Sequence, residues 1–312
     1  MHDAIIHTNA LTRDFKSTRA VDALTLEVPR GIVFGFLGPN GSGKTTTIRM
    51  LLGLVVPTSG TATVLGFDTQ HQADQIRERS GALLEHSGIY ERLSAEDNLE
   101  LYGRITKIPT GERRARIQEL LRSFGLWDRR ADRAGTWSRG MKQKLAVARA
   151  MLHRPSLIFL DEPTAGLDPV ASASLRDELA LLARREGVTV FLTTHNLSEA
   201  ERLCAQVAVI RHGQLLAHGS PTDLRARVGG HRVEITGAGF DDPVLAMLRA
   251  QPDVRSATVE DSRLVLELRG DSHVAPIVSA LVAAGVSIEE VRKGHANLEE
   301  VFLTLVENAA AH

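Results

Sequence analysis

The 312-residue chain has one cysteine, Cys204, so no intrachain disulfide can form. This fits a reducing compartment, and Cys204 reads as a small buried hydrophobe. An excess of charge of either sign is also missing. Lys and Arg number 37 against 38 Asp and Glu, a net −1, so no global basic field recommends a nucleic acid as partner. Long apolar runs are absent: the nearest, APIVSALVAAG, falls short of the ~18 residues of a membrane helix, so any membrane role is expected to come through a partner. The opening MHDAIIHTNALTRDF lacks a basic region followed by an apolar core, so no secretory signal is expected, and a soluble, cytoplasmic chain is. Internal repeats and low-complexity segments are missing beyond the closing AAAH.

What is present is ordinary globular sequence, 43% hydrophobic and 24% charged, long enough for about two domains at ~100–200 residues each. A local basic cluster, Arg113, Arg114, Arg116, Arg122, Arg129, Arg130 and Arg133, is interleaved with acids on helix-like sequence and reads as a solvated face. VDALTLEVPRGIVFGFLG alternates and then runs apolar to a glycine, as a buried strand does. SLIFLD and VTVFLTT are two further buried strands with helical sequence between them. The alternation predicts an α/β domain with a largely parallel sheet and a ligand beyond the carboxyl ends of its strands.

Residues from about Glu85 to Met151 are charged and helix-rich, and predict a helical subdomain inserted in this core, in which Trp127 packs. Near Val228 the style changes. The reading is one domain over 1–228 and a small α+β domain over 229–312, in the order strand, helix, two strands, helix, strand, helix. Its last segment carries Leu298, Val301, Phe302 and Leu305 at helical spacing, a stripe for core or dimer contact. His231, His273 and His295 are scattered and suggest no metal site.

GPNGSGKT matches G-x-x-x-x-G-K-[ST] after a strand and before a helix. The loop of Gly38, Pro39, Asn40, Gly41, Ser42 and Gly43 lets backbone N–H groups turn onto phosphate oxygens, with Lys44 placing a charge at the β- and γ-phosphates. The Thr45 hydroxyl can ligate Mg²⁺, and Thr46 follows in the same first helical turn. LIFLDEP delivers two acids at a strand end: Asp161 to hold Mg²⁺, directly or through water, and Glu162 as general base for the attacking water. Alone they would read as a loop carboxylate pair. TTHNLSEAE puts His195 in the same row of strand ends. Such a histidine is structural by default, but beside a nucleotide site it reads as a γ-phosphate contact. Phe15, before the first core strand, could stack on adenine or pack in the core. A second anion-binding helix start lies in TWSRGMKQKLAVARAML, where Ser138 and Gly140 precede the apolar residues Leu145, Val147, Ala148, Met151 and Leu152.

In that order, GPNGSGKT, WSRGM, LIFLDEPTAGLD and TTHNLSEAE resemble the nucleotide-binding subunit of an ABC transporter, a P-loop NTPase, over Ala4 to about Arg227. The resemblance implies ATP and Mg²⁺ as ligands and a head-to-tail homodimer. In it Ser138 and Gly140 of one subunit cap the γ-phosphate held by the other subunit's P-loop. It also implies that Asp168, in AGLD, bridges the two sites; a helix-capping turn is the alternative. Two departures stand out. Where the family carries a glutamine touching Mg²⁺, GALLEHSGIYERLS offers Glu85, with His86 the alternative, a form similar to ATPase subunits of antibiotic-peptide immunity exporters. Trp137, Ser138, Arg139, Gly140 and Met141 stand in place of Leu-Ser-Gly-Gly-Gln.

The region from Gly229 to His312 resembles the accessory domain of drug, antibiotic and sodium exporter ATPases that pair with a separate six-helix membrane protein. The implied function is an ATP-hydrolysing subunit that powers export of drugs, antibiotics or antimicrobial peptides through a separate permease, at the inner face of the membrane. The alternative, a soluble ABC ATPase acting on ribosomes or DNA, would usually carry two cassettes or a long coiled-coil insertion, and neither is in the sequence. Intact Glu162 and His195 speak against a non-hydrolytic sensor.

Overall fold

The computed structural model describes residues 4–228, 231–260, 263–269, 273–294 and 298–310. The chain divides into two compact units, Met1–Ser220 and Pro221–His312. The division falls before the expected change at Val228, because the helix Pro221–Val228 packs on the helix Leu298–Ala310.

The first unit opens with strands β1 (Ala4–Phe15), β2 (Thr18–Pro29) and β3 (Val33–Leu37), then helix α1 (Lys44–Leu51). β4 (Ser59–Val64), β5 (Phe67–Asp68), α2 (Ala73–Arg79) and β6 (Ser80–Leu83) follow. Three helices come next: α3 (Ala95–Ile105), α4 (Thr110–Ser123) and α5 (Arg139–Met151). The chain returns through β7 (Leu157–Asp161), α6 (Pro169–Glu186), β8 (Thr189–Thr194), α7 (Leu197–Leu203), β9 (Gln206–Arg211) and β10 (Gln214–Gly219).

Two sheets result. One is antiparallel, in the order β2-β1-β4-β5; the other runs β10-β9-β3-β8-β7-β6, parallel except for the edge strand β10. β7 and β8 are buried at every position. A strand covered on both faces needs an unbroken apolar run, which is why LIFLD and TVFLTT do not alternate. Although aromatics are only 4% of the chain, Phe34, Phe36 and Phe159 gather around Phe191 with ring centroids 5.5, 5.4 and 5.6 Å away. The parallel strands are thus fixed from within their own core.

The helical segment corrects one expectation. Arg113 and Arg116 do not lie on a solvated face: they are 7% and 2% exposed. Spacings of three and four place them on the inner face of α4 with Ile117 and Leu120. Each meets an acid there. Arg113 donates from Nε and Nη2 to Glu100 at 2.7 and 2.8 Å. Arg116 donates from Nη1 and Nη2 to the two oxygens of Glu186 at 2.7 Å each, and from Nη2 to the Met151 carbonyl at 2.8 Å. Paired, a guanidinium is tolerated inside, and this pair joins α4 to the end of α6. The Trp127 ring takes the guanidinium groups of Arg122 and Arg130 against it, 5.3 and 4.3 Å from its centre.

The second unit contains α8 (Pro221–Val228), β11 (His231–Ala238), α9 (Asp242–Arg249), β12 (Val254–Glu260), β13 (Arg263–Leu268), α10 (Val274–Ala283), β14 (Ser287–Gly294) and α11 (Leu298–Ala310). Its sheet runs β12-β13-β11-β14, all antiparallel, and Val233, Ile235, Leu264 and Leu266 meet Leu248, Ile277 and Leu281 in its core. Leu298 and Val301 are buried. Gly229, Gly230 and His295 lie outside the described residues, as do the side chains of His231 and Leu305. Among the described residues no group of three metal-ligating side chains gathers, and no helix is long and apolar enough to cross a membrane.

Candidate functional site

The expected row of strand ends is formed at the carboxyl edge of β3, β7 and β8. β3 runs straight into the loop Gly38–Gly43, and α1 begins at Lys44. Gly43 adopts φ +104, and a methyl group on it would stand 2.2 Å from the Ala20 carbonyl, so only glycine serves. No side chain caps α1, which leaves its first-turn N–H groups for an anion. The Ser42 hydroxyl is buried and has no hydrogen-bond partner. Pro39 and Asn40 are exposed on the loop, and Thr46 is half-buried in the first turn of α1.

Lys44 is 6% exposed. Its ammonium donates to the carbonyls of Gly38 and Pro39 at 2.7 and 3.1 Å and lies 3.2 Å from Glu162 Oε1, which accepts no aligned hydrogen bond. The cation is therefore preplaced beside the loop. Thr45 Oγ1 donates to Asp161 Oδ2 at 2.7 Å, joining the first turn of α1 to the end of β7.

Glu162 follows β7 with φ +51, a left-handed conformation that costs a non-glycine residue roughly 1 kcal/mol. Two bonds hold it: its N–H donates to the carbonyl of Thr193 at 3.2 Å and to Thr193 Oγ1 at 3.0 Å. The kink directs the Glu162 carboxylate between two cations or donors, with Oε1 toward Lys44 and Oε2 2.8 Å from His195 Nδ1. A cleft of about 420 Å³ opens beside these residues, lined by Glu162, Gly166, Arg176, His195, Ser198 and Arg202.

The structure thus brings Lys44, Thr45, Asp161, Glu162 and His195 together. Thr193, for which the sequence carries no local signal, belongs with them. Ser138 caps α5, its hydroxyl accepting from the Met141 N–H at 3.3 Å, and Asp168 caps α6, accepting from the Ala171 N–H at 2.9 Å, the capping turn that is its alternative reading. Gly140 faces Ala171 across the two helix starts, a methyl on it falling 3.1 Å from the Ala171 side chain. Phe15 is 42% exposed with Arg13 stacked 4.4 Å from its ring centre, which sets aside the core-packing alternative. Glu85 follows β6 but is exposed and ion-paired with Arg49 at 3.1 Å.

The profile of the ABC transporter family matches residues 21–165, which hold the loop, Ser138 and both acids. Over nearly its whole length the chain is 36% identical to the daunorubicin resistance ATP-binding protein DrrA3 of Streptomyces coeruleorubidus, covering 98% of this chain and 96% of that one. The chain belongs to the ATP-binding subunits of ABC transporters. It is also 34% identical to the bacitracin transport ATP-binding protein BcrA of Bacillus licheniformis, over 97% of each chain. A solved ATP-binding subunit of an ABC transporter superimposes with a TM-score of 0.64 at 30% identity, covering 72% of this chain and 92% of that one. Residues 219–306 match the family of DrrA1-3-like C-terminal domains, so the accessory domain is of the drug-exporter type. As an ABC subunit the chain binds and hydrolyses ATP and works with a separate membrane subunit.

Proposed function

We propose that this ATPase drives a drug or antibiotic exporter as a head-to-tail homodimer, seated on its permease at the cytoplasmic face of the membrane. The single observation that carries the catalytic reading is the Glu162 carboxylate held between Lys44 and His195 at the strand edge. The exporter reading rests on full-length similarity to daunorubicin and bacitracin ATP-binding subunits.

ATP's phosphates enter the loop of Gly38 to Gly43, where the orphan Ser42 hydroxyl and the open N–H groups of α1 receive them. Phosphate replaces Glu162 as the counter-charge of Lys44 and frees Oε1 for the attacking water. Glu162 takes the water's proton as general base, while His195 Nδ1 steadies Oε2 and the histidine serves as the γ-phosphate contact. The adjoining oxygens of Thr45 and Asp161 fit a hard cation and would hold it. Mg²⁺ bound there would supply positive charge to balance that of the transferred phosphoryl group. Glu85, exposed and paired with Arg49 through one oxygen, keeps its other oxygen for such a cation.

Phe15 offers an open face to adenine. Ser138 and Gly140 hold the γ-phosphate in the opposite subunit, and Asp168 bridges the two sites. The test is a mixed dimer of Lys44→Ala and Ser138→Ala chains. In a trans arrangement both lesions fall on one composite site and the other stays whole, so mixing restores turnover that neither homodimer shows. No restoration speaks against the arrangement.

A further inference from the structure

Arg139 lies between Ser138 and Gly140 and takes no part in the steps above. It is the first residue of α5, directly after the Ser138 cap, and its guanidinium makes no hydrogen bond or ion pair among the described residues. Though the residue is exposed, its guanidinium has one close neighbour. A methyl group on Gly166 would meet Arg139 Nη1, Cζ and Nη2 at 2.4, 2.5 and 2.8 Å, so the planar group lies over the Gly166 backbone in the same subunit. Gly166 has φ +71, which favours glycine, and its bare Cα gives the guanidinium room.

The neighbouring contacts extend this packing. Gly140 faces Ala171, and one turn along Lys144 donates to Ser174 and Glu178 at 3.0 and 2.7 Å. The starts of α5 and α6 therefore lie side by side, capped by Ser138 and Asp168. Arg139 is the one of these contacts that reaches the loop Ala165–Leu167 itself.

We propose that Arg139 is a positioning residue: laid over Gly166, it fixes the loop that carries Asp168 against the turn of Ser138 and Gly140. The two then meet the opposite subunit as one preformed surface, a consequence that rests on the trans reading above. A small residue at 139 leaves the loop to be ordered at each closure, and that cost appears as weaker dimerisation.

The experiment compares Arg139→Gly and Arg139→Lys with the unaltered chain in two measurements. The first is amide hydrogen exchange without nucleotide. Arg139→Gly is expected to speed exchange over residues 164–168 by about fivefold while β7 is unaffected, because local opening of a loop is sensitive to its covering contacts. Lysine, which lacks the plane, is expected to behave like glycine. The second, in a Glu162→Gln background, is the ATP concentration for half-maximal dimer formation, expected to rise about three- to tenfold in both variants by the same loss of preorganisation.

Unchanged exchange over 164–168 in Arg139→Gly overturns the proposal. So does restoration of dimerisation by lysine, which would make charge at the phosphate the contribution. If Glu162→Gln alone forms no dimer with ATP, the trans reading fails, and the exchange result still decides whether Arg139 holds the loop.

Discussion

Thr193 stands between the two acids of the site: its hydroxyl donates to Asp161 Oδ1 at 2.5 Å and accepts the N–H of Glu162 at 3.0 Å. The parallel register sets Asp161 opposite Thr193, so one side chain on β8 orients the end of β7. Asp161 accepts Thr45 on its other oxygen. The Asp161 carboxylate thus takes its position from two hydroxyls of neighbouring elements, and the Glu162 backbone is held by one of them.

Thr193→Val should keep the volume and remove the hydroxyl, leaving Asp161, 5% exposed, short of one donor. The expected cost is about 1–3 kcal/mol of stability. A several-fold rise in the Mg²⁺ concentration for half-maximal turnover is also expected, with Thr193→Ser near the unaltered chain. Thermal unfolding and a Mg²⁺ titration of ATP turnover measure both; a valine variant equal to the unaltered chain in each would remove Thr193 from this role.

Glu100 predicts an acid-labile helical segment. The Arg113 guanidinium, and secondarily Arg104, hold its carboxyl down at about 2, below the usual 4.5. The stabilisation is complete above 4.5 and is lost as pH falls from there through 2. With Glu100 at a quarter exposure it is worth roughly 1–2 kcal/mol after solvent screening. Arg113→Met should flatten that part of the pH–stability curve. Circular dichroism during acid titration reads it, and an unaltered slope would count against the pair.

Cys204 is 7% exposed, and burial pushes its thiol up to about 12. Thiolate reagents are expected to leave the folded chain unmodified at pH 8 and to label it on unfolding. Because the unfolded thiol ionises near 9, the contribution to stability is complete below that value. It is lost as pH rises through 12, by about 1.4 kcal/mol per unit. Rapid labelling of the native chain would contradict this packing.

Sequence made the phosphate loop and the strand-end acids legible because each is a local pattern: glycines at fixed spacing before Lys44, and an apolar run stopping at Asp161. The order of elements in the second unit was legible for the same reason. Thr193 was not, since its task depends on the register of two strands far apart in sequence. Arg113 and Arg116 misled because charge outweighed helical spacing; their places beside Ile117 and Leu120 already marked an inner face. The contact of Arg139 with Gly166 needed the packing of α5 on α6, which no local signal carries.

The central claim is that ATP joins two of these chains and that Glu162 ends the contact by hydrolysis. The most direct measurement is the oligomeric state and turnover of Glu162→Gln beside the unaltered chain, with and without MgATP. The account predicts a dimer that appears only with ATP and persists in the variant, with turnover reduced by about 10²- to 10⁴-fold, the range general-base catalysis supplies. A variant that turns over ATP at the unaltered rate, or stays monomeric with ATP bound, would contradict it.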